Sequence, residues 1–197
     1  MSQSALPRRS RLWNLPNLLT YGRVLSVPLV VGFLLQPDVY WMRWTAFWIF
    51  VVAGISDFFD GYLARIWQQQ SSLGRMLDPI ADKLLVSATL LVLAADRAFD
   101  QWSIWAAIII LCREILVSGL REYLAELRVS LPVTWIAKWK TTAQILALGF
   151  LIVGPAGEKV LPGTIVIGFG LLWVAAVLTL YTGWDYMRSG FKHVADD

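Results

Sequence analysis

Residues 41–95 read WMRWTAFWIFVVAGISDFFDGYLARIWQQQSSLGRMLDPIADKLLVSATLLVLAA. Two apolar runs flank a centre that holds four aspartates (Asp57, Asp60, Asp78 and Asp82), two arginines (Arg65 and Arg75) and two glycines (Gly61 and Gly74). The runs are too apolar for a soluble domain. With ~1.5 Å of rise per residue, each is long enough to cross the ~30 Å hydrocarbon core as a helix. A single charged side chain within such a span is costly. Four carboxylates at spacings of three and four therefore require a compensating partner.

The same apolar character extends along the rest of the chain. Of its 197 residues 57% are hydrophobic and only 16% charged, where soluble domains carry about a quarter charged residues. The pattern predicts an all-α polytopic membrane protein, one membrane domain over 1–197 with an arm at 1–16 and a tail at 187–197. Six transmembrane helices are expected near 17–36, 41–65, 77–95, 101–124, 134–154 and 160–186. Turn-like breaks separate them: QPD at 36–38, QQQSSLG at 68–74, DRAFD at 96–100, RVSLP at 128–132 and GPAGEK at 154–159. The first apolar run lacks a small-residue cleavage site, so it reads as a retained span and not as a removed signal peptide. A single cysteine, Cys112, excludes an internal disulfide and offers no metal cluster. It lies in an apolar run as a packing residue, and His193 lies in the solvated tail. Nothing in a net charge of +3 points to a nucleic-acid partner.

Orientation follows from lysine and arginine near the span ends. One side carries Arg8, Arg9, Arg11, Arg65, Arg75, Arg128, Lys138, Lys140, Arg188 and Lys192; the other has Arg43, Arg97 and Lys159. The rich side is cytoplasmic by this rule, and six spans put both termini there. Trp13, Trp41, Trp102 and Trp184 fall near expected span ends, as interfacial aromatics do. Residues 13–21 (WNLPNLLTY) fit either a short helix lying in the interface or a plain cytoplasmic flank.

By helical register Asp57, Asp60, Gly61 and Ala64 share one face of the second span, and Asp78 and Asp82 share a face of the third. A short connection makes these spans antiparallel neighbours, so the two acidic faces can meet at one depth. Carboxylates that close cannot all stay ionised alone. Divalent cations such as Mg²⁺ or Mn²⁺ are the simplest partner for hard oxygen ligands, and four carboxylates suit a two-metal site that clamps a phosphoryl group. Arg65 and Arg75 are then available for phosphate oxygens, and Gly61 and Gly74 let a nucleotide approach the backbone. A purely structural reading also exists for Asp78, which precedes Pro79 as an N-cap precedes proline at the first helical position.

These residues spell D-x2-D-G-x2-A-R-x8-G-x3-D-x3-D, in which Asp57, Asp60, Gly61, Ala64, Arg65, Gly74, Asp78 and Asp82 occupy every fixed position. The pattern resembles the signature of the CDP-alcohol phosphatidyltransferases. NLPNLLTYGRVLSVP at 14–28, REILVSGLREYLAEL at 113–127 and WIAKWKTTAQ at 135–144 are similar to the branch of that family formed by bacterial phosphatidylglycerophosphate synthases. The last span and tail add little to the likeness. The resemblance implies six helices around a cytoplasm-facing polar cavity, a homodimer and residence in the bacterial inner membrane among membrane lipids. It implies transfer from CDP-diacylglycerol to sn-glycerol 3-phosphate. It further implies two Mg²⁺ or Mn²⁺ ions on Asp57, Asp60, Asp78 and Asp82, with Asp82 also the general base. Gly61, Arg65 and Gly74 line the CDP site with Asp57, Asp60 and Asp78.

A phosphorylated acceptor needs cations separate from the metals. The candidates are Arg113 and Arg121 on the fourth span, with Lys138 and Lys140 entering the fifth. The two lysines equally fit a role in topology alone. Arg23 in the first span is expected to face the polar cavity, with Thr20 and Asn17 nearby. The residues leave other acceptors open: inositol phosphate, serine or phosphatidylglycerol. A divalent-cation transporter is the alternative from another class, although it calls for polar residues through the full membrane depth.

Overall fold

The computed structural model describes residues 15–66, 72–96, 99–126 and 135–195. Among these residues all regular structure is helical: α1 (Leu15–Leu34), α2 (Tyr40–Ile66), α3 (Ser72–Ala95), α4 (Ser103–Glu126), α5 (Trp135–Glu158) and α6 (Thr164–Ala195). Four of them contain stretches long and apolar enough to cross a membrane: Asn17–Leu34, Ser103–Ala125, Trp135–Glu158 and Thr164–Arg188. Large apolar side chains lie exposed on every helix, among them Leu25, Trp48, Leu91, Ile115, Leu146 and Val166. A soluble monomer does not present such a surface; lipid is the solvent that accepts it. Trp41, Trp102 and Trp135 are exposed at the starts of α2, α4 and α5, and Trp184 is exposed four residues before the end of the apolar stretch Thr164–Arg188.

The chain forms two compact units, Met1–Val92 and Leu93–Asp197. In the first, α1 packs along α2. The buried stripe of α1 changes character along its length: Asn17, Thr20, Arg23 and Ser26 come first, then Val30 and Leu34. The polar half therefore lies at the N-terminal end of the helix and the apolar half at the other. The turn between α1 and α2 is held by Arg43, which is buried and donates from Nε to the Pro37 carbonyl at 2.9 Å. This arginine serves the turn and is not a free surface charge.

In the second unit α6 packs against both α5 and α4. Gly168 lets α5 approach, since a Cβ there would stand 2.9 Å from Leu151 Cδ2; small residues serve membrane helix pairs in this way. Glu158 closes the α5–α6 hairpin, accepting from the Gly163 and Ile165 amides at 2.8 and 2.9 Å. The first amides of α6 thus find a carboxylate where the helix would otherwise leave donors unpaired.

The six helices lie near the six expected stretches, four of them qualifying as membrane spans by length and composition, and four expectations need correction. α1 runs unbroken from Leu15, so residues 15–21 belong to the first helix and form no separate interfacial one. Residues 1–14, including Trp13, lie outside the described residues. α3 starts at Ser72, inside the expected QQQSSLG loop, so Asp78 is an interior residue and not an N-cap. Pro79 forfeits one backbone bond there, which membrane helices tolerate when neighbouring groups re-satisfy the carbonyl. The break expected at 154 is a kink: Gly154 adopts φ 40°, and helix resumes from Pro155 to Glu158. Positive φ before proline needs glycine. Finally, Cys112 is exposed on α4 and not packed.

Candidate active site

Asp57, Asp60, Gly61 and Arg65 fall in the last turns of α2; their side chains, like that of Arg75, lie outside the described residues. On α3, Gly74 is buried, Asp78 half-buried and Asp82 exposed. Asp78 and Asp82 are one turn apart, so both oxygens sets project from the same side of the helix. Thr20 Oγ1 of α1 donates to Asp78 Oδ1 at 2.5 Å. That bond fixes one carboxylate oxygen and leaves the other open to a further partner. Hard, monodentate oxygen donors of this kind fit Mg²⁺ or Mn²⁺. Among the described residues no three acidic, histidine or cysteine groups converge, as expected when two of the four aspartates lie outside that set.

The cations form a second constellation, within α4, α5 and α6. Arg113 is largely buried; its Nη2 donates to Thr182 Oγ1 at 2.9 Å and its Nη1 lies 3.5 Å from Glu114 Oε1. The same glutamate oxygen accepts from Lys140, a buried lysine of α5. Arg121 Nη2 donates to the Tyr186 hydroxyl at 3.3 Å. Both guanidinium groups sit near the Tyr186 ring, at 5.8 Å for Arg113 and 5.5 Å for Arg121, within cation–π range. Gly183 makes room, because a Cβ there would meet Arg113 Cγ at 3.0 Å. Glu114 is thus shared between Arg113 and Lys140. Among the described residues, Arg113 Nε is buried without a hydrogen-bond partner, as are Gln144 Oε1 on α5 and Thr179 Oγ1 on α6.

Of the four cations expected to hold an acceptor phosphate, three are thus linked through Glu114, Thr182 and Tyr186. Lys138 takes part in none of these contacts; it is exposed, with its ammonium 5.4 Å from the Trp135 ring. The residues missed by sequence reasoning are on α6, the span that adds little to the family likeness. Thr179, Thr182 and Tyr186 recur at spacings of three and four in LTLYTGWDY, a polar stripe on an otherwise apolar helix. His193 lies in the last turns of α6, its side chain outside the described residues.

The sequence model of the CDP-alcohol phosphatidyltransferase family matches residues 13–181, from the arm through most of α6. The chain belongs to the CDP-alcohol phosphatidyltransferase family. Within this family the chain is similar to proteins named CDP-diacylglycerol–glycerol-3-phosphate 3-phosphatidyltransferase. The relative from Cereibacter sphaeroides is 37% identical, covering 94% of this chain and 99% of its own length. Those from Rickettsia bellii and Shigella flexneri are 42% and 41% identical, covering 91% and 93% of this chain and 97% and 98% of their own lengths. The family segment includes the whole aspartate motif together with Arg113, Arg121 and Lys140, and stops one residue short of Thr182.

Proposed function

We propose that this phosphatidyltransferase moves the phosphatidyl group of CDP-diacylglycerol to sn-glycerol 3-phosphate, giving phosphatidylglycerophosphate and CMP. The observation that carries the reading is end-to-end likeness to relatives named for this reaction, in a chain that keeps the full aspartate motif. The proposed setting is a single membrane domain of six spans in the bacterial inner membrane. Its termini and polar cavity face the cytoplasm, and two copies associate.

Asp57, Asp60, Asp78 and Asp82 would hold two Mg²⁺ or Mn²⁺ ions, which supply charge neutralisation at the phosphoryl oxygens. Asp82, exposed on α3, takes the proton of the acceptor hydroxyl as that oxygen forms its bond to the β-phosphorus. The bond from this phosphorus to the CMP oxygen breaks, and CMP carries away the electron pair. Thr20 holds Asp78 in one orientation through the 2.5 Å bond. Gly61, Arg65 and Gly74 receive the cytidine diphosphate with the acidic residues. Arg113, Arg121 and Lys140 attract the acceptor's phosphate, Arg113 being preset by Thr182 and Glu114. Lys138 is the outlying member of this set.

The experiment supplies purified protein with Mg²⁺ or Mn²⁺, CDP-diacylglycerol and a panel of acceptors while CMP release is followed. Turnover is expected with glycerol 3-phosphate. Its loss is expected in Asp57→Asn and Asp82→Asn at unchanged thermal stability. Preference for serine or inositol phosphate would refute the acceptor, and full activity of Asp82→Asn would refute the base.

A further inference from the structure

α1 and α2 leave between them an open groove of about 430 Å³. Its walls are apolar: Leu18, Leu25 and Leu29 from α1, Trp48 and Val52 from α2. Gly22 also lines it, and a Cβ at this position would meet nothing within 4 Å, so the space over the glycine is free. From residue 18 to residue 29 the groove follows α1 for ~16 Å. That is about half of a ~30 Å hydrocarbon core, the depth of one leaflet.

Arg23 and Ser26, both buried, also line the groove part-way along α1, Ser26 with its hydroxyl turned to the Arg23 carbonyl. Ser56 of α2 borders its other wall at the end nearest the motif. On α2 the lining positions 49, 52, 53 and 56 follow helical spacing; the same register carries the stripe on to positions 57 and 60. An apolar channel one leaflet deep therefore runs directly into the helix turn that bears the first two aspartates of the motif.

We propose that this groove holds one acyl chain of the CDP-diacylglycerol donor, its ester end toward Ser56 and its methyl end toward Trp48. The inference rests on the reaction proposed above and adds where the lipid part of the donor lies. A helix laid over the same ~16 Å would displace roughly 1,300 Å³ at a diameter of ~10 Å, so the groove suits a hydrocarbon chain and not a helix. A bulk phospholipid has the same tail, but only the donor's headgroup belongs at the aspartates to which the channel leads. Holding the chain here fixes the distance from glycerol backbone to motif, and so presents the β-phosphorus at a constant depth.

The test uses full-length protein in vesicles and compares donors bearing hexanoyl or palmitoyl chains. Gly22→Leu and Val52→Trp fill the groove. Each is expected to raise the KM for the palmitoyl donor about tenfold, the loss of about two methylene contacts, while the hexanoyl donor changes less than about twofold. Val174→Trp, on an exposed face of α6, serves as control and leaves both unchanged. A palmitoyl donor with a photoreactive group at mid-chain should label residues between 18 and 29 or 48 and 53, and unlabelled CDP-diacylglycerol should compete. Equal effects on both donors without such labelling would overturn the proposal. So would labelling by photoreactive phosphatidylglycerol that the donor fails to displace, which gives the groove to bulk lipid. Disulfide-linked dimers of Val52→Cys would assign it to a second copy. Failure of wild-type protein to release CMP from either donor with glycerol 3-phosphate would instead refute the reaction, whatever the labelling.

Discussion

Thr20→Val removes one buried oxygen from the second turn of α1. Valine matches threonine in shape, so no cavity opens, and position 20 is buried, so water does not replace the lost hydroxyl. Asp78 loses the 2.5 Å bond that orients its Oδ1. Hydrogen bonds to charged groups contribute about 1.5–3 kcal/mol, and loss of a group that orients a metal ligand typically costs 10–100-fold in metal affinity. The two scales agree, because tenfold corresponds to about 1.4 kcal/mol. The expected outcome is a 10–100-fold rise in the Mg²⁺ or Mn²⁺ concentration for half-maximal CMP release. Activity at saturating metal should fall much less, and Thr20→Ser should restore the wild-type requirement. Titrating metal at fixed CDP-diacylglycerol, with thermal unfolding run in parallel, makes the measurement. An unchanged metal requirement in Thr20→Val, or a Thr20→Ser variant as impaired as valine, would refute the reasoning.

Arg113→Ala should raise the glycerol 3-phosphate requirement more than that for CDP-diacylglycerol; the reverse split in steady-state kinetics would move the acceptor pocket elsewhere. Gly183→Val presses on Arg113, whose Cγ already stands 3.0 Å from the site of a Cβ. It should reproduce the Arg113→Ala kinetics in milder form while CDP-diacylglycerol binding holds. Glu114→Ala leaves Lys140 buried beside Arg113 without its carboxylate. Breaking such a pair costs about 3–5 kcal/mol, read as a lower melting temperature that Glu114→Ala with Lys140→Met should partly recover. Asp100, in the turn before α4, accepts from the Ser103 amide at 2.8 Å. Hydrogen bonds from the Ser103 side chain and backbone hold its carboxyl below the ordinary 3.8. Its contribution is therefore present above that value and lost as pH falls through the lower folded one. Asp100→Ala should remove this part of the acid dependence of thermal unfolding, while wild-type protein retains it.

Helix positions were legible because they depend on runs of ~20 apolar residues, a signal local in sequence. The aspartate motif was legible because its eight fixed positions lie within one contiguous stretch. What escaped were the places where a helix absorbs a breaker. Pro79 reads as a start signal, yet α3 begins about two turns earlier at Ser72. Pro155 reads as a stop, yet Gly154 bends the backbone and the helix goes on to Glu158. In both cases tertiary context decides whether a lost hydrogen bond ends a helix. Partner choice was the other blind spot. Lys138 and Lys140 look alike in WIAKWKTT, but one lies exposed by Trp135 and the other is buried against Glu114. Two residues turn the chain through about 200° around a helix, which separates two identical side chains into different surroundings. Thr182 and Tyr186, 69 and 65 residues from the arginines they hold, carried no local signal linking them to α4.

The tip joining α5 and α6 has a bearing on how the chain is made. With Glu158 already closing the start of α6 through two amides, this hairpin satisfies those donors from within itself. Lys138, Lys140 and Arg188 stand toward the opposite end of the two helices, and Lys159 follows Glu158 at the tip. The last two helices can therefore leave the ribosome, enter the bilayer and pair before α4 docks on them, a self-sufficient closing step in biogenesis.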